Sequence, residues 1–291
     1  MLHVTNGDST ATLLRRTGVT GTVIAWRDIL HDGPVPAGLA LEAMSDVRAR
    51  FLASTGAGSL QSILRLFGAR DAALRAARQV VLWFEHDLYD QLQLIQILAT
   101  LATQRETTAG LICIDTFPGV DSFHGLGDLT PAQLASLWPG RQRVARAHLA
   151  VGARAWTAFS SPDPLALRHL LATDISALPF LQAALERFME EFPSPPDGLS
   201  RTERQILGAV TAGHTTFDAV YRANQKQEAA PFLGDTIIQR RIEALTNARI
   251  PLLTREPITL TAAGQRVLAG EADARQLNGL DLWLGGVRLK A

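Results

Sequence analysis

Ionisable and amide side chains follow four short apolar segments of this sequence, each at the point where a strand would end. They are Asn6, Asp8 and Ser9 after the first segment, Arg27, Asp28, His31 and Asp32 after the second, Glu85, His86 and Asp87 after the third, and Asp115 after the fourth. Because ligands bind outside the carboxyl ends of the strands in an open parallel sheet, these side chains predict a cleft at one sheet edge. Carboxylates at such positions also cap the helices that follow, so a purely structural role is the alternative.

The residue types predict a division of chemical roles within that cleft. Arg27 is expected to bind an anion, because its planar fork matches a phosphate or a carboxylate. Asp28 and Glu85 are candidates for the general base or a metal ligand, and His31 and His86 for the proton shuttle. The remaining residues expected to contact a substrate are Asn6, Gly7, Asp8, Ser9 and Gln91. The pattern predicts hydrolysis or group transfer on a small phosphate- or carboxylate-bearing substrate, nucleotides included.

The segment Asn6-Gly-Asp-Ser9 has three interpretations. In the first, Gly7 lets a ligand approach the backbone and the next helix presents free N–H groups to an anion. In the second, the segment is a tight turn in which Asp8 or Ser9 caps the helix. In the third, Gly-Asp-Ser resembles the start of the Gly-Asp-Ser esterases, whose Asp-x-x-His element is matched here only by Asp28-x-x-His31. That element belongs near the C-terminus of those enzymes, and a triad is defined by geometry rather than by short strings.

The segment from Glu85 to Gln91 is the densest group of ionisable residues in the chain. Its oxygen and nitrogen donors suit a divalent metal ion, which would also reconcile an acidic cleft with an anionic substrate. The candidate ligands are Glu85, His86 and Asp87, joined by Asp28 or His31. In the alternative interpretation, Asp87 and Asp90 stabilise the N-terminus of the following helix and no metal is involved.

A glycine-containing loop at 121–127 is expected to cover the cleft, with His124 as a candidate acid or base. An ordinary surface loop would have the same composition.

The elements that must position these residues alternate along the first part of the chain. Strand-like runs at 2–5, 21–26, 79–84 and 111–114 are separated by helical patterns at 41–54, 58–77 and 88–103. This alternation predicts an α/β fold with an open, mostly parallel, Rossmann-like sheet and helices on both faces. From Thr130 onward the pattern becomes helical.

Composition shifts divide the chain into an α/β domain at 1–193, a linker at 194–199 and a smaller domain at 200–270. The linker is marked by Pro193-Ser-Pro-Pro-Asp-Gly198. The smaller domain has three helical patterns, a two-stranded segment and a closing helix, which together predict a winged-helix-like module. The tail at 271–291 ends in two apolar runs and is expected to pack back on another element.

The winged-helix-like module predicts contact with nucleic acid through Gln239, Arg240, Arg241 and Arg255, with Thr236 near the bases. Over 200–270 nine cationic residues face six anionic ones, a modest excess that equally suits a protein-contact module. The alternative function is therefore a non-enzymatic regulator, in which the α/β domain senses a ligand and the module contacts nucleic acid or protein.

Composition excludes several classes of protein and kinds of site. The 28 basic and 28 acidic residues balance to zero net charge, which excludes a chain that coats nucleic acid or an anionic membrane along its length. The single cysteine, Cys113, excludes an intrachain disulfide and a cysteine-based zinc cluster. No signal-like or membrane-spanning segment stands out, so a cytoplasmic location is expected. The oligomeric state is left open.

Four separated sequence blocks occur in order along the chain. They are Leu2-His-Val-Thr-Asn-Gly-Asp8, Trp26-Arg-Asp28 with His31-Asp-Gly-Pro34, Trp83-Phe-Glu-His-Asp-Leu-Tyr-Asp-Gln91, and Leu282-Trp-Leu-Gly-Gly-Val-Arg-Leu289. Together they resemble the bacterial family called domain of unknown function 1835 over essentially the whole chain. The resemblance brings no catalytic residues and implies no particular activity.

Overall fold

A computed structural model of the chain describes residues 1–104, 106–121 and 123–290. Ser122, inside the loop predicted to cover the cleft, lies outside the described residues. The chain forms two compact units. The first contains Met1–Leu185 and Trp283–Arg288, and the second contains Glu186–Leu282 and the last residues from Leu289. The predicted linker at 194–199 lies within the second unit, whereas part of the predicted tail belongs to the first.

The first unit is built on a five-stranded sheet. The strands of the protein are β1 (Leu2–Thr5), β2 (Thr22–Ala25), β3 (Gly33–Pro34), β4 (Gln79–Glu85), β5 (Thr108–Ile114), β6 (Gln142–Arg143), β7 (Asp281–Gly285) and β8 (Val287–Lys290). The order in the large sheet is β2-β1-β4-β5-β6, in which only β6 runs antiparallel. A mixed α/β fold with a mostly parallel sheet and surrounding helices is therefore confirmed.

Eight α-helices begin in the described part of the first 185 residues, and those predicted at 41–54, 58–77 and 88–103 start within two residues of the expected positions. They are α1 (Asp8–Arg16), α2 (Leu41–Ser54), α3 (Leu60–Ala76), α4 (Leu88–Ala102), α5 (Pro131–Ser136), α6 (Arg146–Phe159), α7 (Ala166–Leu171) and α8 (Leu181–Met189). Local chemistry explains several starts: the side chains of Ser59, Asp87 and Thr130 each accept a hydrogen bond from a first-turn N–H group. None of the helices in the described ranges is long and apolar enough to cross a membrane.

The strand order creates a topological switch point between β1 and β4. The chain moves from β1 outward to β2, and then crosses back to place β4 on the opposite side of β1. In the register of the sheet, Val4 pairs with Ile24 on one side and with Leu82 on the other. The helices that follow β1 and β4 therefore diverge at this point and leave a crevice beyond the strand ends.

The core of the first unit surrounds β4, which is buried from Val80 to Glu85. Its apolar run is nearly continuous because a central parallel strand is covered on both faces. Helix α4 is buried on almost every side, which explains its run of leucines and isoleucines. These two elements hold the segment from Glu85 to Asp90 in a rigid setting.

A small second sheet has the order β3-β7-β8. Gly33 of β3 pairs with Leu284 of β7 in parallel. At the end of β7, Gly285 has φ of 59°, and an added Cβ would lie 2.4 Å from the carbonyl oxygen of Phe159. Only glycine fits this close approach. The two-residue strand β3 has no sequence signature, because its partner lies at the far end of the chain.

The second unit contains α9 (Arg201–Thr211), α10 (Phe217–Gln225), α11 (Asp235–Asn247), α12 (Ala262–Leu268) and α13 (Ala274–Asn278). Ser200 and Glu203 form a capping box at the start of α9. Between α11 and α12 the chain makes an isolated antiparallel bridge from Leu253 to Leu260. Ile206, Ile238 and Val267 are buried in the core of this unit.

Candidate active site

Three buried carboxylates meet at the switch point and form what we call the switch-point cluster: Glu85, Asp87 and Asp90. Glu85 is the last residue of β4, Asp87 immediately precedes α4, and Asp90 lies in the first turn of that helix. Each offers a carboxylate oxygen within 4.8 Å of the other two. An all-oxygen group of this kind suits a hard divalent cation such as Mg²⁺, Mn²⁺ or Ca²⁺.

Asn6 ties the end of β1 to this cluster. Its Nδ2 atom donates to Oδ1 of Asp90 at 2.8 Å and to Oε1 of Glu85 at 3.5 Å. The other oxygen of Asp90 accepts from the backbone N–H of Glu85 at 2.7 Å, and Oδ1 of Asp87 accepts from that of Asp90 at 3.0 Å. Asp87 therefore caps α4, as the structural interpretation predicts. The donors to the cluster in these contacts are neutral amides, which leave its negative charge unmatched.

Burial and crowding raise the pKa values of all three acids. Burial, followed by the charge of Asp87, raises the pKa of Glu85 to about 8. Burial raises the pKa of Asp87 to about 7, and burial with the charges of Glu85 and Asp87 raises the pKa of Asp90 well above its usual range. At neutral pH the cluster retains protons unless a cation replaces them. Such shifted groups are characteristic of acid–base and metal sites.

The loop predicted to cover the cleft contacts Glu85 directly. The backbone N–H of Leu126 donates to Oε1 of Glu85 at 2.6 Å, and the Leu126 side chain is buried in the core cluster around Trp83. At Gly125 an added Cβ would lie 2.3 Å from Oε2 of Glu85, so only glycine allows the loop to come this close. His124 is exposed, with its Nδ1 3.4 Å from Oδ2 of Asp128.

The N-terminus of α1 adjoins the same edge of the sheet. Gly7 occupies its N-cap position in an extended conformation, and none of the described side chains caps the helix. The interpretation in which Asp8 or Ser9 is the cap is therefore wrong, because the helix already begins at Asp8. Oδ1 of Asn6 instead accepts from the N–H of Gly7 at 2.7 Å. The uncapped first turn presents backbone N–H groups and a positive partial charge.

Arg27 and Asp8 pair with each other at the rim. Nε of Arg27 donates to Oδ2 of Asp8 at 2.7 Å, and Nη2 contacts the second oxygen. The bond from Arg27 holds the pKa of Asp8 below its usual range. Arg27 is also the one non-glycine residue with a positive φ among the described residues, at 63°. The guanidinium predicted to bind a substrate anion thus already has a carboxylate partner.

Asp28 does not join the switch-point cluster. It lies fully buried in what we call the arginine network, formed by Asp28, Ser45, Arg48, Arg70 and Asp71. Oδ1 of Asp28 accepts from Nε of Arg48 at 2.9 Å, and Arg70 approaches the other oxygen at 3.9 Å. The structure therefore places this predicted base among cations rather than at the cleft.

The other predicted residues take different positions around β4. His31 is buried with its ring edge towards Tyr89, at 6.1 Å between centroids. His86 is half-buried against Phe180. Within the described ranges, its Nδ1 atom has no hydrogen-bond partner. Burial lowers the pKa of His86.

Gln91 takes a structural position, because its Nε2 donates to the carbonyl oxygen of Glu85 at 2.6 Å and contacts Sγ of Cys113. The site residues absent from our predicted set are Asp90, Gly125 and Leu126. Asp90 carried a usable signal, since it lies three residues after the helix cap Asp87 and shares its end of α4. The two loop residues lie in the segment at 121–127 that was expected to cover the cleft, but their contact with Glu85 had no signal of its own because they are distant from it in sequence.

The residues predicted to contact nucleic acid do not share one free face. Gln239 donates to Glu243 at 3.0 Å and Arg255 donates to Asn247 at 2.7 Å, and both line a groove of about 520 Å³ in the second unit. Arg240 and Arg241 are half-buried, and the charge of Arg241 acts on the buried carboxyl of Glu203.

No protein-family model and no curated protein sequence matches this chain.

Proposed function

We propose that the protein is an α/β enzyme that catalyses hydrolysis or group transfer on a small phosphate- or carboxylate-bearing substrate at the switch point. The observation that carries this proposal is the buried switch-point cluster, three unmatched carboxylates beside the uncapped N-terminus of α1. Three buried acids with no cationic partner in these contacts destabilise a fold unless a proton or a metal ion compensates them. A structural role alone leaves this arrangement unexplained.

In the proposed site, Glu85 and Asp87 hold a divalent cation with Asp90 as third ligand, and Asn6 orients the Asp90 carboxylate. When bound, the cation supplies charge that polarises a substrate oxygen. The first-turn N–H groups of α1 bind the phosphate or carboxylate of the substrate, and Gly7 leaves room for it to approach. Leu126 and Gly125 shield Glu85 from water on the loop side.

Proton transfer falls to the groups whose pKa values lie near neutrality. Before a cation is bound, the pKa of Glu85, about 8, and that of Asp87, about 7, suit exchange of a proton at physiological pH. Once these acids hold the cation they are deprotonated, and proton transfer passes to another group. His86 remains a second candidate, because its lowered pKa favours the neutral base at neutral pH. Asp28 is not assigned a role in this proposal, since Arg48 and Arg70 already engage its carboxylate.

The proposal is tested by titrating Mn²⁺ and Mg²⁺ calorimetrically into the wild-type protein and into Glu85→Gln and Asp87→Asn. Turnover of phosphate and carboxylate esters is measured in parallel. We expect both variants to lose cation binding and turnover while they remain folded. Asp115→Asn is the matched control, because this exposed carboxylate lies at the end of β5 but outside the cluster. Absence of cation binding and of turnover in the wild-type protein would contradict the proposal.

We infer as a second candidate that the second unit is a winged-helix contact module. Its support is the element order, in which α9, α10 and α11 precede the Leu253–Leu260 bridge and α12. Gln239 and Arg255 on the rim of its groove are the residues proposed to contact nucleic acid.

The test is duplex DNA binding at low and moderate salt with Arg255→Ala, and Arg266→Ala as a control for the loss of one exposed cation. If Arg255→Ala weakens DNA binding and Arg266→Ala does not, the result supports DNA binding by the module. No binding at low salt excludes that role and leaves a protein partner.

A further inference from the structure

A cavity of about 370 Å³ lies among α2, α3, α4 and α6 of the first unit. None of the switch-point cluster residues lines it. Its size falls at the lower end of the range for small-molecule sites. The cavity combines polar groups from α3 and α4 with an apolar wall, and it adjoins the start of α2.

Gln96 lines this cavity and is itself buried. Its Oε1 accepts a hydrogen bond from Nε1 of Trp26 at 2.7 Å. Because an indole N–H only donates, the atom facing Trp26 must be the amide oxygen, which fixes the orientation of the amide. Nε2 of Gln96 is buried and has no hydrogen-bond partner within the described part of the chain. A buried NH₂ group with no partner in the protein is costly, and the adjoining cavity has room for an acceptor, either a water molecule or a ligand oxygen.

The start of α2 contributes a second feature to the same cavity. The helix begins at Leu41 after Ala40, which has no side chain able to cap it. Since Met44 N bonds to the oxygen of Ala40, the N–H groups of the preceding first-turn residues have no partner within the helix. They give this end of the cavity a positive partial charge that favours an anionic oxygen.

The remaining wall is largely apolar and includes the indole of Trp156, with Leu39 and Ala99 beside it. Three charged residues also line the cavity: Arg75 and Glu42 pair with each other there, and the carboxylate of Asp71 accepts from Ser45 and Arg70, so none of the three presents an unmatched charge. An occupant thus needs one anionic oxygen group and a flat apolar body that packs on an aromatic ring.

We propose that this cavity binds a small aromatic monocarboxylate, with its carboxylate towards Nε2 of Gln96 and the first turn of α2 and its ring against Trp156. The site is independent of the activity proposed at the switch point. It has a physical connection to the sheet through Trp26, which follows β2 and bonds to Gln96.

The test uses benzoate as the probe and benzamide as its neutral counterpart, measured by calorimetry and by the amide resonances of Gln96 in ¹⁵N-edited spectra. We expect benzoate to bind and shift those resonances, and benzamide to bind more weakly. In Gln96→Glu, which keeps an acceptor for Trp26 but removes the NH₂ group, benzoate affinity should fall by at least about tenfold. Trp156→Ala should weaken both probes, whereas Gln61→Glu, an exposed glutamine on α3, should change neither.

Two results would overturn the proposal. One is unchanged benzoate affinity in a folded Gln96→Glu variant. The other is a wild-type spectrum in which saturating benzoate leaves the Gln96 side-chain amide unmoved, which would assign a buried water to that amide. If Gln96→Glu does not fold, the wild-type spectrum and Trp156→Ala decide the question without it.

Discussion

The first unit holds two buried groups of acidic side chains that differ in how their charge is compensated. In the arginine network, Asp28 and Asp71 are matched by Arg48 and Arg70, with nitrogen–oxygen distances of 2.9 and 3.0 Å in the closest pairs. In the switch-point cluster, the contacts of the carboxylates come from backbone N–H groups and from Asn6. Both groups are buried to a similar degree, so burial alone does not distinguish them.

This difference in charge compensation indicates which of the buried acids can take part in acid–base or metal chemistry. A carboxylate that accepts hydrogen bonds from an arginine has its charge balanced within the fold and holds its surroundings in place. A carboxylate among other carboxylates has a raised pKa, and its neutralisation is left to a proton or a cation. Charge balance therefore separates the structural acid Asp28 from the proposed functional acid Glu85, although both follow a strand of the same sheet.

The largest effect is expected from breaking the arginine network. Arg48→Ala leaves the buried carboxylate of Asp28 without its closest partner, and Arg48 also donates to the carbonyl oxygens of Ile29 and Asp32. We expect the free energy of unfolding to fall by about 3–5 kcal/mol. Urea denaturation checks this, with Arg50→Ala on the exposed face of α2 as the control. Equal losses in the two variants would show that the network does not hold the fold.

The second prediction concerns the pH dependence of stability without metal ions. Because the pKa of folded Glu85, about 8, exceeds its ordinary value of 4.5, the folded state binds more protons between these pH values. The contribution of Glu85 to the free energy of unfolding is therefore present at low pH and is lost as pH rises towards 8. Glu85→Gln removes the titrating carboxyl group. Over the same pH range, the free energy of unfolding of this variant should therefore fall by at least about 1 kcal/mol less than that of the wild-type protein.

This prediction is measured as urea midpoints in chelator-treated buffer across that pH range. Asp115→Asn should run parallel to the wild-type protein, because its carboxylate is exposed. Parallel curves for Glu85→Gln as well would contradict the raised pKa. Adding Mn²⁺ should restore stability at pH 8 in the wild-type protein only, since cation binding requires the deprotonated acids.

A smaller effect is expected where the loop meets the cluster. In Gly125→Ala the added Cβ would push against Oε2 of Glu85 and disturb the bond from Leu126. We expect a loss of about 1–3 kcal/mol in the free energy of unfolding, together with weaker Mn²⁺ binding. Gly140→Ala is the matched control, since a Cβ there meets open space. Unchanged Mn²⁺ affinity in Gly125→Ala would remove the loop from the proposed site.

The smallest stability effect is expected at the Arg27–Asp8 pair. Both side chains are partly exposed, so Asp8→Asn should change the free energy of unfolding by less than about 1 kcal/mol. The same change releases the guanidinium of Arg27 at the edge of the cleft, which should strengthen binding of inorganic phosphate several-fold in calorimetry. Asp46→Asn, an exposed acid on α2, should leave phosphate binding unchanged. Weaker phosphate binding in Asp8→Asn would show that the pair must remain intact.

Local patterns predicted the elements that carry the site with little error. The strand predicted at 79–84, which extends by one residue to Glu85, and the cap at Asp87 were both readable from the sequence. Each of these signals depends on residues within a few positions of one another. The cap of α1 was misassigned because Asp8 and Ser9 are good capping residues by type, whereas the chain turns one residue earlier, at Gly7.

The sequence by itself determined the alternation of strands and helices and the set of polar residues that end each strand. Only the tertiary structure decided which of those residues meet. Arg48 and Arg70 form ion pairs with the carboxylate of Asp28. Glu85 instead accepts from the neutral N–H groups of Asn6 and Leu126 and lies beside other carboxylates. The physical reason is the separation along the chain over which each effect acts. Hydrophobic periodicity and helix capping involve residues within one or two helical turns, whereas the charge state of a buried acid depends on partners distant in the chain.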